Sequence, residues 1–343
     1  MMKLVTGGSG FFGIHLVRKL LDSGEEVRIF DIAEPGIAEI EKSIDFVHRD
    51  IRDYSAVYEA CSGVDVVYHN VAVLPIARAG RRYWEVNVEG TRNLLEACLK
   101  RDIPKVVHIS TSAVYYGAPE KMPIDENSEL HPLGSYGKAK FEAEELCRKY
   151  RSLGLNVSII RPRPIIDPGR LGIFQILFDW LKDGKNIYIL GSGNNLFQFT
   201  SASDLAEACH LAAKVPAEDF NVGAEKFSTL RQDLEALAAY AKTGSRVVSL
   251  NATLTRYTLW LLDKLRLSPL VEWHYMTYDK DFFFDISKAK RLLSWAPKDG
   301  NIDMLTKTYD WYLQHYKELE SRFGTTHRYS LRQGILRLLK LIS

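Results

Sequence analysis

A glycine-rich segment near the N-terminus is the feature that most constrains how this chain can fold. It lies between the apolar run 3–5 and an amphipathic run with the period of a helix. Gly8, Gly10 and Gly13 fit the spacing G-x-G-x-x-G, and Gly7 adds freedom for a longer turn. A strand can pass into a helix within so few residues only where side chains do not obstruct the turn. The segment therefore predicts a strand, a tight turn and a helix.

This arrangement predicts a dinucleotide site. N–H groups at the start of such a helix point at a pyrophosphate, which the bare glycine backbone can approach closely. A second apolar run, 27–30, ends in Asp31, whose carboxylate is suited to accept hydrogen bonds from ribose hydroxyls and would repel a 2′-phosphate. Asp31 thus favours NAD over NADP, whereas Arg28 or Arg49 could bind a 2′-phosphate. Asp50, after the next apolar stretch, is predicted to meet the adenine amino group or to cap the following helix.

Length and composition are those of a globular enzyme. The 343 residues carry 45 basic and 43 acidic side chains, so the net charge of +2 implies no nucleic-acid partner. The four cysteines lie far apart without a C-x-x-C pair, which is typical of reduced thiols in a cytoplasmic protein rather than of a metal site or redox dithiol. The first predicted strand begins within three residues of the N-terminus and no long apolar stretch follows, so we expect neither a signal peptide nor a membrane span.

Strand-like and helix-like runs alternate through the first half of the chain. Helices are predicted at 83–100 and 138–150, and strands at 3–6, 27–30, 46–48, 64–68, 105–110 and 156–160. This rhythm predicts an α/β fold with a Rossmann-type, doubly wound parallel sheet, and ligands then bind beyond the carboxyl ends of the strands.

The pattern changes after about residue 161, where turns rich in proline and glycine begin. We predict a dinucleotide-binding domain over 1–165 and a smaller lobe, mainly for substrate, over 166–324. Elements near 200–225 are expected to return to the sheet. Residues 325–343 form an amphipathic basic tail, which is suited to lie on an anionic membrane surface, to dock on its own domain or to contact a partner subunit.

Three residues beside the predicted sheet form a catalytic constellation. Tyr136 and Lys140 are four apart at the start of a helical run and share one face. An ammonium about 4 Å from a phenol can lower its pKa by about 3 units, which makes the phenolate usable as a base near neutral pH. Ser112 follows the strand at 105–110 and can orient a substrate oxygen while Tyr136 moves the proton. The alternative is that Ser112 is a turn residue and Lys140 a solvated helix lysine.

These motifs together resemble the extended short-chain dehydrogenase/reductases, the NAD-dependent epimerase/dehydratase family. The resemblance covers nearly the whole chain and includes further matches at 69–72, 87–91 and 285–290. It implies that Ser112, Tyr136 and Lys140 are catalytic, with Asn87 supporting the site. It also implies a homodimer through a four-helix contact and NAD contacts from Gly7, Gly10, Phe11, Phe12, Gly13, Asp31, Asp50, Ile51, Val71, Ala72, Tyr136 and Lys140.

Departures from the family pattern bear on the substrate. The family's sugar dehydratases have Thr-Asp-Glu where this chain has Thr-Ser-Ala at 111–113, so the proton donor for dehydration is missing. Nucleotide-sugar epimerases have an arginine where Phe197 stands, and a second one is not evident at 278–284. Each lost charge-assisted hydrogen bond forfeits about 1.5–3 kcal/mol, which disfavours a diphosphate substrate.

The same region is rich in apolar side chains, and in this it resembles the 3β-hydroxysteroid dehydrogenase-like branch. These side chains either bind a hydrophobic substrate or fill a core or dimer contact; they stand at 259–262, 265, 267, 270, 271, 273, 275, 276 and 282–284. The leading hypothesis is NAD-dependent oxidation of a secondary alcohol on a sterol- or lipid-like substrate. The alternatives are a nucleotide-sugar 4-epimerase with tightly bound NAD and a dinucleotide-sensing protein without catalysis.

Overall fold

The computed structural model describes residues 1–75, 79–115, 121–265, 267–270, 272–319, 333 and 335–342. Its strands are β1 (Met2–Thr6), β2 (Glu26–Asp31), β3 (Ile44–His48), β4 (Val66–His69), β5 (Lys105–Ile109), β6 (Val157–Pro162), β7 (Ile165–Ile166), β8 (Ile187–Leu190), β9 (Thr200–Ser201), β10 (Asp219–Val222) and β11 (Val247–Leu250).

The helices surround these strands. They are α1 (Phe11–Asp22), α2 (Ala38–Glu41), α3 (Tyr54–Ala60), α4 (Arg82–Trp84), α5 (Gly90–Lys100), α6 (Gly134–Ser152), α7 (Ile173–Lys182), α8 (Ala202–Ala212), α9 (Leu230–Ala241), α10 (Ala252–Lys264), α11 (Glu272–Thr277), α12 (Ser287–Leu293), α13 (Asn301–Leu319) and α14 (Leu336–Ile342). None of the helices in the described part of the chain is both long and apolar enough to cross a bilayer.

Seven parallel strands form the central sheet in the order β10-β6-β5-β4-β1-β2-β3. The predicted doubly wound parallel sheet is thereby confirmed. The chain runs outward in one direction from β1 to β3 and in the other from β4 to β6, so the connections diverge between β1 and β4. A crevice opens at the carboxyl ends of the strands at such a switch point, where ligands bind in folds of this kind.

Both faces of the sheet are buried, which explains the near-continuous apolar pattern of its strands. Val5 points into a core shared with α1 and α8, whereas the neighbouring Leu4 points into a core shared with α3, α5 and α6. Since successive side chains of a strand alternate between faces, an apolar pair is required wherever helices cover both sides.

A further core, separate from those of the central sheet, is built from α7, α9, α13 and the strand β8, which pairs with β11; these elements are called the smaller lobe below. The described part of the C-terminal tail lies against this lobe. Lys340 pairs with Asp179 and Asp183 at the end of α7, and the Gln333 side chain hydrogen-bonds both Asp179 and Trp180. Residues 325–332, 334 and 343 of the predicted tail lie outside the described residues.

Three predicted element boundaries are wrong in instructive ways. The fourth strand begins at Val66 rather than at residue 64, because a turn after α3 occupies the intervening positions. The helix predicted at 83–100 contains a π-helical turn, Glu85–Glu89, between α4 and α5. The helix predicted from 138 begins at Gly134, so Tyr136 lies in its first turn. Hydrophobic periodicity identifies an element more reliably than its ends.

Candidate active site

The glycine turn between β1 and α1 is set by contacts that no side chain could tolerate. Gly7 has a positive φ of 70°, and a Cβ there would lie 2.8 Å from the backbone nitrogen of Val71. A Cβ on Gly13 would lie 2.2 Å from the carbonyl oxygen of Gly7. At Gly8, by contrast, a Cβ would meet the core side chain of Ile29. The turn therefore depends on Gly7 and Gly13, whereas Gly8, assigned to the motif by its spacing, packs against the sheet.

Asp31 ends β2 beside this turn and lines the same cavity. Its two carboxylate oxygens accept hydrogen bonds from the backbone N–H groups of Ser9 (3.0 Å) and Ala33 (3.1 Å), which fix its orientation. Arg28 does not compete for a ligand, because its guanidinium pairs with Asp45 and donates to backbone carbonyls beyond α3. The role considered for Arg28 at a 2′-phosphate is therefore wrong.

Asp50 and Ile51 follow β3 and line the cavity next to Arg49. A hydrogen bond from Arg52 holds the Asp50 carboxylate and is the main cause that lowers its pKa. The cap of α3 is instead Asp53, whose side chain accepts a hydrogen bond from the Ala56 N–H group. The capping alternative for Asp50 is thus wrong.

One cavity of about 580 Å³ extends from the glycine turn to the start of α6. It brings together residues that are distant in the sequence, and most of the predicted site residues line it: Gly7, Gly10, Phe11, Phe12, Asp31, Asp50, Ile51, Val71, Ala72, Ser112, Tyr136 and Lys140. Gly13 and Asn87 do not line the cavity themselves. Gly13 packs against the backbone of Gly7, and Asn87 hydrogen-bonds the backbone of Val73, so both contact residues that do line it.

Lys140 is a buried residue of α6, so the alternative of a solvated helix lysine is wrong. Its Nζ donates a hydrogen bond to the carbonyl oxygen of Ile109 (2.7 Å) at the end of β5 and lies 3.4 Å from His108 Nε2. Burial lowers the pKa of Lys140 to about 8. Lys140 is therefore still mainly cationic at neutral pH, but its charge is costly in the absence of a ligand.

Ser112 and Tyr136 line the same cavity as this lysine. Ser112 begins a 3₁₀ turn, Ser112–Tyr115, directly beyond β5 and is almost fully buried. Tyr136 is half-buried in the first turn of α6, with its ring 6.3 Å from the ring of Tyr83. The arrangement presents two hydroxyl groups and one ammonium group to a single compartment.

Two histidines to which the sequence analysis gave no role, His69 and His108, lie next to Lys140. His69 Nδ1 is 2.7 Å from Thr6 Oγ1, and His69 Nε2 is 2.9 Å from Thr91 Oγ1. Burial, with the nearby charge of Lys140, lowers the pKa of His69 to about 3 and that of His108 well below its usual range. Both imidazoles are therefore neutral, so they fill the space next to Lys140 without adding a like charge.

Asn87 lies in the π-helical turn and acts on the cavity wall through the backbone. Its Oδ1 accepts a hydrogen bond from the Val73 N–H group (2.8 Å), and its Nδ2 donates to the Val73 carbonyl oxygen (3.2 Å). This pair of bonds fixes the segment that follows β4, next to Val71 and Ala72. Asn87 is thus a positioning residue, and the π turn is what aims its side chain.

A buried network of charges anchors α6 to the sheet below Lys140. The Arg161 guanidinium on β6 donates to both carboxylate oxygens of Glu144 (3.0 and 2.7 Å) and to Asp219 on β10 (3.1 Å). Ser110 donates to Glu144, and Tyr115 accepts a hydrogen bond from Arg161. The network therefore joins β5, β6, β10 and the catalytic helix.

The described apolar residues counted at 259–284 occupy different environments, and Val271 lies outside the described residues. Met276 lines the cavity, Phe282 and Phe284 are buried in the core, and the last group is exposed: Trp260, Leu261, Leu265 and Leu267. Other apolar residues also line the cavity, namely Val73, Leu74, Pro75, Leu133, Pro164 and Ile165. The sequence gave no signal for these residues beyond their location after β4 or β6 or, for Leu133, directly before α6.

Two arginines in the cavity wall were also missed. Arg163 lies with its guanidinium carbon 4.9 Å from the ring centre of Phe197 and 4.1 Å from that of Phe282. Arg170 lines the cavity nearer to α1. The missing arginine at position 197 therefore does not leave this end of the cavity without positive charge, and the argument against an anionic substrate is weakened.

The comparisons with known proteins agree with this geometry. A model of the NAD dependent epimerase/dehydratase family matches residues 3–223. The uncharacterized protein y4nG of Sinorhizobium fredii is 40% identical over 338 residues, covering 98% of this chain and 85% of that protein. A putative UDP-glucose 4-epimerase of Methanocaldococcus jannaschii is 33% identical over 242 residues, covering 67% of this chain and 79% of the relative.

A sterol enzyme and a solved epimerase structure are also similar. Human sterol-4-alpha-carboxylate 3-dehydrogenase, decarboxylating, is 28% identical over 230 residues, covering 65% of this chain and 60% of the relative. The structure of UDP-glucuronic acid 4-epimerase from Bacillus cereus in complex with NAD has a TM-score of 0.76 at 25% identity, covering 92% of this chain and 100% of that one. The chain belongs to the NAD-dependent epimerase/dehydratase family of extended short-chain dehydrogenase/reductases, uses NAD and acts on a CH–OH group.

Proposed function

We propose that the protein catalyses reversible hydride transfer between NAD and a secondary alcohol on a hydrophobic, sterol- or lipid-like substrate. The observation that carries this proposal is the shared cavity, in which Ser112, Tyr136 and Lys140 meet an apolar wall beside the glycine turn. The walls at Val73 and Met276 offer dispersion contacts and few hydrogen bonds, as an apolar substrate requires.

In this mechanism Tyr136 is the general base for the substrate hydroxyl proton. The Lys140 ammonium, fixed by the Ile109 carbonyl and shielded from water, stabilises the negative charge that develops on the phenol oxygen. Ser112 donates a hydrogen bond to the substrate oxygen and holds it within reach of Tyr136. Bound NAD supplies the hydride acceptor. In the reverse direction Tyr136 returns the proton to the carbonyl oxygen.

A nucleotide-sugar 4-epimerase is the second candidate function. Arg163 and Arg170 give the cavity two cations that can bind phosphate oxygens, and the same triad would serve an oxidation followed by return of the hydride. An epimerase of this kind keeps its cofactor, so purified protein would carry about one NAD per chain and show no net reduction of added NAD.

Absorbance at 340 nm distinguishes the two candidates. Wild-type protein is mixed with NAD and with separate panels of sterols, acyl alcohols and nucleotide sugars. Net NADH formation with apolar alcohols is expected. Conversion of a nucleotide sugar without NADH formation would replace the proposed reaction with epimerisation.

Tyr136→Phe tests the role of the phenol. Loss of the base is expected to reduce turnover by about a thousandfold or more, while the affinity for NAD stays within about twofold of wild type. Tyr83→Phe is the matched control, because it removes a hydroxyl from the same cavity wall that donates to the Pro75 carbonyl instead. Similar activity in both variants would refute the assignment.

We also propose a homodimer that uses α5 and α6, which pack together on one face of the sheet, with the exposed Trp84 at the edge of this surface. Light scattering is expected to give twice the chain mass, and Trp84→Glu is expected to halve the measured mass.

The C-terminal tail has a separate question, whether it binds a membrane, and in the structure its Lys340 already pairs with Asp179 of α7. Equal pelleting with anionic liposomes of the full chain and of a chain ending at Gly324 would exclude a membrane role.

A further inference from the structure

Arg170 is a buried cation in the wall of the cavity. It follows the turn after β7, and its side chain is only 7% exposed. The Nε atom donates a hydrogen bond to the carbonyl oxygen of Ile165 (3.0 Å), and the guanidinium carbon lies 5.7 Å from the ring centres of both Phe11 and Phe174. These contacts hold the guanidinium in place within the wall of the cavity.

One terminal nitrogen of the guanidinium lacks a hydrogen-bond partner among the described residues. Nη1 of Arg170 is buried and makes no hydrogen bond to any residue that the structure describes. Asp167, the carboxylate three residues earlier, instead accepts hydrogen bonds from Ser201 and Ser203 through Oδ2. Burial lowers the pKa of Arg170 to about 9, so it remains cationic at neutral pH. A buried guanidinium without a counter-ion is unfavourable, and its retention points to an anion that arrives with a ligand.

The location of Arg170 indicates what kind of ligand this is. Phe11, which the guanidinium stacks against, is the first residue of α1, where N–H groups carry the positive end of the helix dipole. On the other side, Phe174 lies in the first turn of α7, and Tyr278 is close enough to raise the pKa of Arg170 against the lowering by burial. The guanidinium thus stands between the glycine turn and the substrate compartment.

We propose that Arg170 is an anion-binding residue of the crevice, which takes a phosphate or carboxylate oxygen through its unsatisfied Nη1. The anion comes either from the pyrophosphate of NAD or from an acidic group on the substrate. The second case deepens the proposed function, on which it rests, by requiring a substrate with an apolar body and one acidic group.

The test uses Arg170→Met, which keeps the stem between the two rings and removes the charge, and Arg170→Lys, which restores the charge without the planar fork. Arg231→Met is the control, because that arginine binds Ser192 and Glu235 on the surface of the smaller lobe. Calorimetry measures NAD affinity in phosphate-free buffer. Thermal unfolding measures the stabilisation of NAD-saturated protein by inorganic phosphate.

If the cofactor supplies the anion, Arg170→Met weakens NAD binding by about tenfold or more, and phosphate has no effect on the NAD-saturated proteins. If the substrate supplies it, NAD affinity stays within about twofold, and phosphate stabilises the wild type but not Arg170→Met. In both cases Arg170→Lys recovers part of the effect, and Arg170→Met without ligand unfolds at or above the wild-type temperature.

A purely structural arginine would behave differently. Arg170→Met would then lower the unfolding temperature of the ligand-free protein and change neither NAD affinity nor the response to phosphate, which would overturn the proposal. Because these readouts are binding and stability, they do not depend on turnover. A protein that binds NAD and phosphate as described but oxidises no alcohol would refute the proposed function alone.

Discussion

Two groups of buried charges near the catalytic helix α6 differ in whether a carboxylate pairs with them. Beneath the helix, Arg161 is paired with Glu144 and Asp219. In the crevice, Lys140 and Arg170 are equally buried but form no salt bridge with any described residue. Lys140 and Glu144 are only one helical turn apart, so the contrast arises from what each side chain faces rather than from its element.

The pKa values follow this difference. Burial alone would lower the pKa of Arg161, but the charge of Glu144 raises it above its usual range. Burial without a paired carboxylate lowers the pKa of Lys140 to about 8 and that of Arg170 to about 9. Paired charges are already satisfied and hold the fold together, whereas the crevice cations are satisfied only when a ligand is bound.

The largest expected effect is on the free energy of unfolding, when the pair between Arg161 and Glu144 is broken. Arg161→Met leaves the fully buried Glu144 without its bidentate partner and should lower the free energy of unfolding by about 3–5 kcal/mol, measured by urea denaturation. Arg148→Met, which removes a half-exposed guanidinium from the same carboxylate, should cost about 1 kcal/mol. Combining Arg161→Met with Glu144→Met should recover part of the lost free energy of unfolding. If the losses of the two single variants simply add, the two residues do not stabilise each other and the contrast with the crevice cations is wrong.

Removal of the crevice cation Lys140 should raise the stability of the ligand-free protein, whereas removal of Arg161 should lower it. Lys140→Met is expected to reduce turnover by about a hundredfold to a thousandfold, because the phenol loses its electrostatic support. The ligand-free variant should nevertheless be about 1–2 kcal/mol more stable at pH 7, because a buried charge has been removed. Urea denaturation of both proteins checks this prediction, and a destabilised variant would place Lys140 with the structural charges.

The dependence of stability on pH sharpens the same point. The pKa of Lys140 is about 8 in the folded protein and near 10.5 in the unfolded chain, so the unfolded state binds more protons between these values. Stability should therefore rise with pH across this window by up to about 3 kcal/mol relative to Lys140→Met. Lys105, whose pKa burial also lowers to about 8, is present in both proteins, so its contribution cancels in the difference.

The smallest effect concerns the acidic end of the crevice. Asp31→Asn removes the charge that repels a 2′-phosphate and keeps one of the two contacts to the Ser9 and Ala33 N–H groups, because the amide oxygen accepts but the amide nitrogen does not. NADP affinity is expected to rise by about tenfold, with NAD affinity falling by only a few fold. Calorimetry with both nucleotides measures this, and an unchanged preference would mean that other groups, such as Arg49, decide it.

Much of the fold and of the site could be predicted because the signals are local. The strand, turn and helix around Gly7 lie within about 20 residues, and Asp31 and Ser112 each follow a strand whose end is recognisable from its apolar run. Tyr136 and Lys140 share a helical face because of their spacing alone.

The remaining site residues depend on contacts between distant segments. Arg170 approaches Phe11 across about half the chain, and Arg163 stacks on Phe282. The stretch after residue 259 is rich in apolar residues throughout. Of its described apolar residues, however, Met276 alone lines the cavity, beside the acidic residues Asp263 and Glu272. No periodicity within one segment can indicate which side of it meets another.

The sequence by itself determined the parallel sheet, the dinucleotide turn, the acid at the end of β2 and the hydroxyl and ammonium groups of the catalytic constellation, because each follows from backbone geometry over a few residues. Tertiary structure alone decided which charges are paired. A cation of α6 or of the β7 turn becomes structural or functional according to whether a carboxylate from another element reaches it, and that depends on how the elements pack.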